Sequence, residues 1–283
     1  FIDDPYLFGQ IATNHALGDL HAMGVDAHSA MVIANVVYAS EDKQFQDLYQ
    51  LMSGVVETLQ RNGTLLVGGH SGEANQMSCG LSVNGFARPE DLILKTGVRP
   101  GDLLILTRPL GSGVLFAADM LGKARGDWID AAIEQMLMSS RDAASCLREF
   151  RASACTDVTG FGLAGHLFEM ARESACAIEI YIDQLPLYPG VISLSRQGVA
   201  SSLQPQNIRI RHSIRDPENL ASHENYPLIF DPQTAGGLVA SVAEKRAGEC
   251  LQKLRQLGYD QAQVIGRAIA RTESDRVLSL VNS

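Results

Sequence analysis

The sequence has few of the features that mark several large classes of protein. It has five cysteines among 283 residues, an odd number, and none of them forms a CxxC pair. That pattern argues against a disulfide framework and a structural zinc site, and it favours a reduced, cytoplasmic setting. No apolar run reaches the roughly 18–20 residues that a helix needs to cross a bilayer, so we expect no membrane span.

Positive charge is also scarce. The chain has 23 lysines and arginines against 32 aspartates and glutamates, for a formal net charge of −9. Proteins that coat nucleic acid usually have the opposite balance, so we expect no nucleic-acid partner. The Walker A loop, the GxSxG elbow and the HExxH helix are absent too, which argues against P-loop NTPases, serine hydrolases and zinc proteases.

What is present is a globular composition with 46% hydrophobic residues, in a chain of 283 residues. That length corresponds to about two domains. Helical and strand patterns are mixed, and several strand pairs have no helix between them, which predicts an α+β architecture and not a Rossmann sheet. The turn-rich run at residues 95–102 is the best boundary, and it divides the chain into residues 1–97 and 98–283.

Periodicity places the elements along the chain. Helices are predicted over residues 8–24, 45–62, 113–122, 128–150, 163–173 and 243–257. Strands are predicted over residues 30–38, 64–67, 77–87, 103–107, 154–157, 177–183 and 262–265.

Four positions combine glycine with Asp, His or Ser: Asp19, Gly68-Gly69-His70, residues 157–162 and residues 231–237. Glycine lets the backbone turn sharply and approach a ligand closely. Free N–H groups at such turns suit phosphate oxygens, and carboxylates nearby hold Mg²⁺, which bridges to phosphates. The sequence therefore indicates a protein that handles phosphate and Mg²⁺.

Each position also has a simpler interpretation. Asp19 lies near the apolar stripe of its helix, where it could hydrogen-bond to His15 one turn earlier. Gly68-Gly69-His70 is typical of a tight turn, and Asp157 could cap the helix that follows. Residues 231–237 could be an elaborate turn. The basic run Arg209, Arg211, His212 and Arg215 could contact phosphate, but the alternation over residues 208–214 favours a solvated strand face.

Six stretches, taken together and in order, resemble the selenophosphate synthetases, also called selenide, water dikinases. They are residues 3–9, 14–24, 68–71, 107–113, 156–167 and 231–237. The resemblance implies the two-domain fold of aminoimidazole ribonucleotide synthetase. In that fold an N-terminal α+β domain forms a barrel across a homodimer, and an α/β domain follows. Residues 201–207 resemble the subgroup that can follow a flavoprotein domain.

The resemblance also implies an activity and its residues. Selenide, water and ATP would give selenophosphate, AMP and phosphate, and selenophosphate would feed selenocysteine and selenouridine synthesis. Asp19 matches an aspartate that binds Mg²⁺ and ATP, and Asp157 matches a Mg²⁺ ligand. Gly68, Gly69 and His70 match an ATP-binding triplet.

The match has departures. Gly18, Gly72 and Ala235 replace residues that are usually Ser, Ile and Ser. The family's reactive Cys and Lys, and two further aspartates, precede the equivalent of Phe1, so no catalytic residue is assigned here. We expect the 283-residue chain alone to have little activity.

Two alternatives stay open. One is another enzyme of the same superfamily, such as a purine-pathway synthetase or a thiamine-phosphate kinase. The other is a non-catalytic domain that binds nucleotide or dimerises. Residues 156–162 and 231–237 favour the first interpretation.

Overall fold

The computed structural model describes residues 2–215, 218–271 and 276–283; Phe1, where the sequence begins, lies outside them. The helices are α1 (Pro5–Ala22), α2 (Glu41–Arg61), α3 (Ser112–Met120), α4 (Gly126–Leu137), α5 (Arg141–Glu149), α6 (Gly162–Glu173), α7 (Val191–Arg196), α8 (Gln204–Asn207) and α9 (Glu244–Gln256). The strands are β1 (Ala27–Val37), β2 (Leu65–Ala74), β3 (Ser78–Gly85), β4 (Asp102–Leu106), β5 (Ala154–Asp157), β6 (Cys176–Tyr181), β7 (Ile214–Arg215), β8 (Leu238–Ala243), β9 (Gln263–Ala270) and β10 (Leu278–Val281). None of the helices in this part of the chain is long and apolar enough to cross a membrane.

Helix α1 begins three residues earlier than the apolar spacing predicts. The carboxylate of Asp4 accepts hydrogen bonds from the backbone N–H groups of Tyr6 (2.8 Å) and Leu7 (3.0 Å). Pro5 occupies the first helical position, where a missing N–H costs nothing. The cap, and not the first apolar residue, therefore sets the start of the helix.

The first sheet has three strands in the order β2-β1-β3, with β1 parallel to β2 and antiparallel to β3. Helices α1 and α2 cover one face, where Leu17, Val32, Leu51 and Val55 are fully or almost fully buried. The opposite face carries Met31 and Ile33, which are 51% and 60% exposed. An apolar side chain on an open sheet face is unusual, because such a face normally carries polar residues.

The second sheet has seven strands in the order β5-β8-β4-β9-β6-β10-β7. The pairs from β5 to β6 are antiparallel, and β10 runs parallel to both β6 and β7. The largest apolar core of the domain packs α6 against this sheet. The predicted α+β architecture is confirmed, although the sequence analysis missed β8 and β10.

All five cysteines are free, and four of them are buried, as expected of small core residues; Cys79 is half-buried. The boundary at residue 97 lies in the connection between β3 and β4 and stays a prediction. That connection already contacts both sides of the boundary, because Ile93 donates a backbone hydrogen bond to Met23 (3.0 Å) and Leu94 accepts one from Cys155 (3.0 Å).

The predicted tight turn at Gly68-Gly69-His70 is wrong, because β2 continues through it to Ala74. Strand β1 pairs in parallel with this stretch and satisfies its backbone groups, with Val32 opposite Gly69. A Cβ atom at Gly69 would lie 2.0 Å from the carbonyl oxygen of Val32. The glycine therefore permits a close strand contact and not a reversal of the chain.

The predicted strand over residues 208–214 is also wrong. Ile208–Ser213 form a 3-10 helix, and only the short β7 follows it. An alternating run as short as residues 208–214 does not settle its period. Residues 231–237 follow a second 3-10 helix, Tyr226–Phe230.

We expect Gly54→Ala to destabilise the protein, because Gly54 lies where α2 crosses α1. A Cβ atom there would be 2.1 Å from the carbonyl oxygen of Tyr6. Overpacking of this kind costs about 1–3 kcal/mol or more. Thermal unfolding measures the change.

The matched control is Gly248→Ala, at an exposed position of α9 with no heavy atom within 4 Å of the added Cβ. It should stabilise the protein by about 0.5–1 kcal/mol through helix propensity. Equal behaviour of the two variants would show that the helix crossing is looser than described.

Candidate metal and nucleotide site

The two aspartates expected at a metal site come from different domains and lie close enough to interact electrostatically. Asp157 is the last residue of β5, and Asp19 lies on α1. A Cβ atom at Gly18 would be 3.8 Å from Oδ2 of Asp157, so this turn of α1 lies against the end of β5. Burial raises the pKa of Asp157, and the negative charge of Asp19 raises it further, while His15 and Lys95 oppose the shift. The ionised form of Asp157 is therefore disfavoured both by burial and by its neighbour.

Two predictions about the local surroundings of these aspartates are wrong. Asp19 is exposed and does not lie near the apolar stripe, because the buried side of α1 carries Leu17, Gly18 and His21. Asp157 does not cap α6, which begins five residues later at Gly162. Both carboxylates are therefore free of the local roles that the simpler interpretation gave them.

His15 lies one turn before Asp19 on the same side of α1, and it too is exposed. Its Nδ1 accepts a hydrogen bond of 3.0 Å from the backbone N–H of Ala235. His15 thus contacts the loop at residues 231–237, where the sequence analysis had suggested a contact with Asp19.

The side chains of the 231–237 loop are used within the protein. Asp231 Oδ2 accepts hydrogen bonds from the N–H groups of Gly113 (3.0 Å) and Val114 (3.3 Å) at the start of α3. Oε1 of Gln233 accepts from the N–H groups of Gly111 (3.0 Å) and Ser112 (3.2 Å). The helix N-terminus that might have bound phosphate is therefore already capped by the protein itself.

Arg108 holds the same loop from its other side. Its side chain is buried, and Nη1 donates to the carbonyl oxygen of Ala235 (3.0 Å). Nη2 donates to the carbonyl oxygen of Met138 (2.6 Å) and to Oγ of Ser140 (3.0 Å). Burial lowers the pKa of this guanidinium. The sequence showed only a basic residue in a motif, and nothing in it revealed that the charge would be buried.

Gly68, Gly69 and His70 lie on β2, an edge strand, beside a groove of about 420 Å³ between the strand and α2. All three residues are exposed. Neither Asp19 nor Asp157 is among the described residues that line this groove. The structure therefore brings the two aspartates together but leaves the triplet as a separate surface.

The donor set limits the kind of metal site that this chain can form. Among residues 2–215, 218–271 and 276–283, no group of three or more His, Cys, Asp and Glu side chains could hold a metal ion. Mg²⁺ is usually bound by one or two carboxylates together with water and substrate phosphates. Asp19 and Asp157 fit that role and do not fit a metal cage built from protein alone.

Comparison with known proteins decides the family. Residues 1–87 match the family model described as "AIR synthase related protein, N-terminal domain", and residues 99–279 match the corresponding C-terminal domain. The chain is 36% identical over 268 residues to the selenide, water dikinase of Pelobacter propionicus, and the match covers 95% of this chain and 76% of the relative. The chain belongs to the selenide, water dikinase family. The enzyme of that name from Clostridioides difficile is 34% identical over 274 residues, covering 96% of this chain and 77% of its own.

Solved structures confirm the expected two-domain fold. A thiamine-monophosphate kinase from Stenotrophomonas maltophilia has a TM-score of 0.72 over 99% of this chain and 79% of its own, at 17% identity. The hydrogenase maturation protein HypE in complex with ATP has a TM-score of 0.71 over 94% and 72%, also at 17% identity. At this identity the likeness shows the fold alone.

We expect Asp231→Asn to change how the stability depends on pH. Burial raises the pKa of Asp231 to about 7, against the opposing hydrogen bonds from Val114, Gln233 and Gly113. The folded protein then retains a proton that the unfolded chain loses between about pH 4 and 7, so the wild type loses stability as the pH rises through that window. Asn keeps an acceptor for the helix N-terminus and removes this loss, which amounts to about 1–4 kcal/mol.

Unfolding by denaturant at pH 5 and pH 8 tests this expectation. The difference between wild type and Asp231→Asn should favour the variant more at pH 8 than at pH 5. Asp130→Asn, at an exposed position of α4, is the control and should show no such difference. If Asp231→Asn behaves like this control, Asp231 is ionised in the folded protein throughout.

Proposed function

We propose that this protein makes selenophosphate from selenide, water and ATP, with release of AMP and phosphate. Membership of the selenide, water dikinase family supports the reaction. Asp19 and Asp157, one from each domain, lie near each other, and the pKa of Asp157 is raised by burial and by Asp19. This observation supports the assignment of the reaction to these two residues. Such a pair lowers its free energy when it binds a cation.

In this proposal Asp19 and Asp157 hold Mg²⁺ together with phosphate oxygens of ATP. The ion would neutralise the polyphosphate and polarise the phosphorus that reacts. The protein's own contribution is to keep two carboxylates, attached to separate domains, at a fixed separation. Asp19 would also contact the nucleotide directly, since its side chain is exposed.

We assign ATP contacts to Gly68, Gly69 and His70 as well. The side chain of His70 is exposed on β2, where the residue pairs with Ile33 of β1. The close contact of Gly69 with Val32 already accounts for that glycine. The two glycines would leave the surface of the strand accessible to a phosphate or a nucleotide, because neither has a side chain.

The test is the Asp157→Asn variant of the protein. Mg²⁺-dependent ATP binding, followed by calorimetry, should weaken by more than about 10-fold, because a metal ligand loses its charge. The melting temperature should stay level or rise, because the variant removes a charge that burial and Asp19 disfavour. Loss of binding would then not be due to unfolding.

Asp130→Asn serves again as the matched control and should bind ATP normally. Release of AMP should require selenide, and aminoimidazole precursors or thiamine phosphate should not replace it. Unchanged binding by Asp157→Asn would show that the metal assignment is wrong. Turnover of another substrate in place of selenide would assign the chain to a different reaction.

We also propose that the protein is a homodimer through the open face of the first sheet. Met31 and Ile33 on β1 are joined there by exposed Leu65, Val67 and Phe86. A patch of this kind marks a protein–protein contact. A second copy of the same face would close the two sheets into the barrel that the family resemblance implies.

We expect Ile33→Glu to weaken dimerisation by at least about 10-fold, because it places an unpaired charge in the contact. Light scattering across a concentration series measures the association. Tyr49→Glu, at an exposed position of α2, is the control and should not change it. A dimer that tolerates Ile33→Glu would place the interface elsewhere.

A further inference from the structure

We infer that His15 is a positioning residue, and that it belongs to a closed ring of hydrogen bonds which fixes Asp19 relative to Asp157. The inference rests on the proposed function for the role of the two aspartates. The ring itself consists of contacts that stand apart from any ligand. It joins α1 of the first domain to two segments of the second domain.

The first contact of the ring is the hydrogen bond of 3.0 Å from the N–H of Ala235 to Nδ1 of His15. Ala235 has a positive φ of 46°, a conformation that an alanine adopts only when its surroundings impose it. The bond joins the exposed side of α1 to the loop at residues 231–237. Asp19 follows His15 by one helical turn, so this bond also restrains the backbone that carries Asp19.

The neighbouring residue makes the second contact. Nδ2 of Asn14 donates to the carbonyl oxygens of Met136 (3.1 Å) and Leu137 (2.8 Å), at the end of α4. Asn14 and His15 are adjacent in sequence but reach different segments of the second domain. Helix α1 is therefore held at one turn from two directions.

Arg108 closes the ring. Its guanidinium connects the carbonyl oxygen of Ala235 with the carbonyl oxygen of Met138 and with Oγ of Ser140. Met138 directly follows the two residues bound by Asn14. A buried cation has a strong need for these acceptors, because each lost hydrogen bond would leave charge without solvation. The two segments that grip α1 are thus fixed to each other.

The ring gives His15 a positioning role that its exposure alone does not suggest. Asp157 is placed by the second sheet, where it pairs with Leu238 at the end of the same loop. Asp19 is placed by α1. Within the ring, the hydrogen bond from Ala235 to His15 is made by the same side of α1 that carries Asp19. Its loss would leave the buried core unchanged but would loosen Asp19.

Two substitutions at His15 distinguish this positioning role from a general effect on folding. His15→Asn places an oxygen close to the position of Nδ1 and can still accept from Ala235, whereas His15→Leu cannot. Affinity for Mn²⁺ in the presence of a non-hydrolysable ATP analogue, followed by electron paramagnetic resonance, reports the aspartate pair. We expect His15→Leu to bind Mn²⁺ about 10-fold more weakly, and His15→Asn to stay within about 2-fold of the wild type.

Amide hydrogen exchange at Ala235 gives a readout that needs no ligand. It should be faster in His15→Leu and close to wild type in His15→Asn, with little change in melting temperature for either. Gln252→Leu, at an exposed position of α9, is the matched control and should alter neither measurement.

The outcomes distinguish this inference from the proposed function. Equal Mn²⁺ affinity in His15→Leu and His15→Asn, with a wild type that binds, would overturn the positioning role and leave the function standing. A wild type that binds no Mn²⁺ with nucleotide would overturn the function and the positioning role together. Unchanged exchange at Ala235 in His15→Leu would overturn the ring.

Discussion

The burial of Arg108 without a carboxylate partner among its described hydrogen bonds is the constraint on which the arrangement of the site depends. A charge removed from water must be solvated by the protein. Here backbone carbonyls and one hydroxyl do this, and they come from segments more than 90 residues apart along the chain. If the loop at residues 231–237 moved away from the link between α4 and α5, the guanidinium would become exposed or would lose hydrogen bonds. Everything that touches these two segments, including α1, takes its position from that requirement.

The loop at residues 231–237 has a structural role that accounts for its polar side chains. Its acidic and amide side chains cap α3, and its backbone contacts Arg108 and His15. Nothing in the loop needs to touch phosphate to account for its side chains. Its influence on a metal or nucleotide would pass through the residues that it holds in place.

The sequence predicted much of the fold, and the reasons differ from element to element. Long amphipathic helices such as α2 were found because many turns repeat the same spacing. Strand β2 was cut short at Gly68 because glycine usually ends a strand, whereas here it lets β1 approach. Strands β8 and β10 were missed because β8 is buried at nearly every residue, so it has no alternation, and β10 has only four residues.

The candidate site was predictable in part. Asp19 and Asp157 were singled out as carboxylates, but their proximity depends on how two domains pack, which local patterns do not encode. Arg108 and Ala235 could not have been recognised as partners, because a hydrogen bond to a backbone carbonyl leaves no signature in the acceptor's residue type. His15 was noted, yet with the wrong partner, since helical spacing reveals neighbours within a helix and not across a domain contact.

The division of the aspartates between two domains has a thermodynamic consequence. A cation held by Asp19 and Asp157 is a cross-link between the domains, so its binding free energy also opposes their separation. Linkage makes this relation reciprocal: whatever holds the domains together strengthens cation binding by the same factor by which the cation stabilises the closed arrangement. In the proposed function, the domain contact and the ion site therefore share one equilibrium, so a change in either would alter the other.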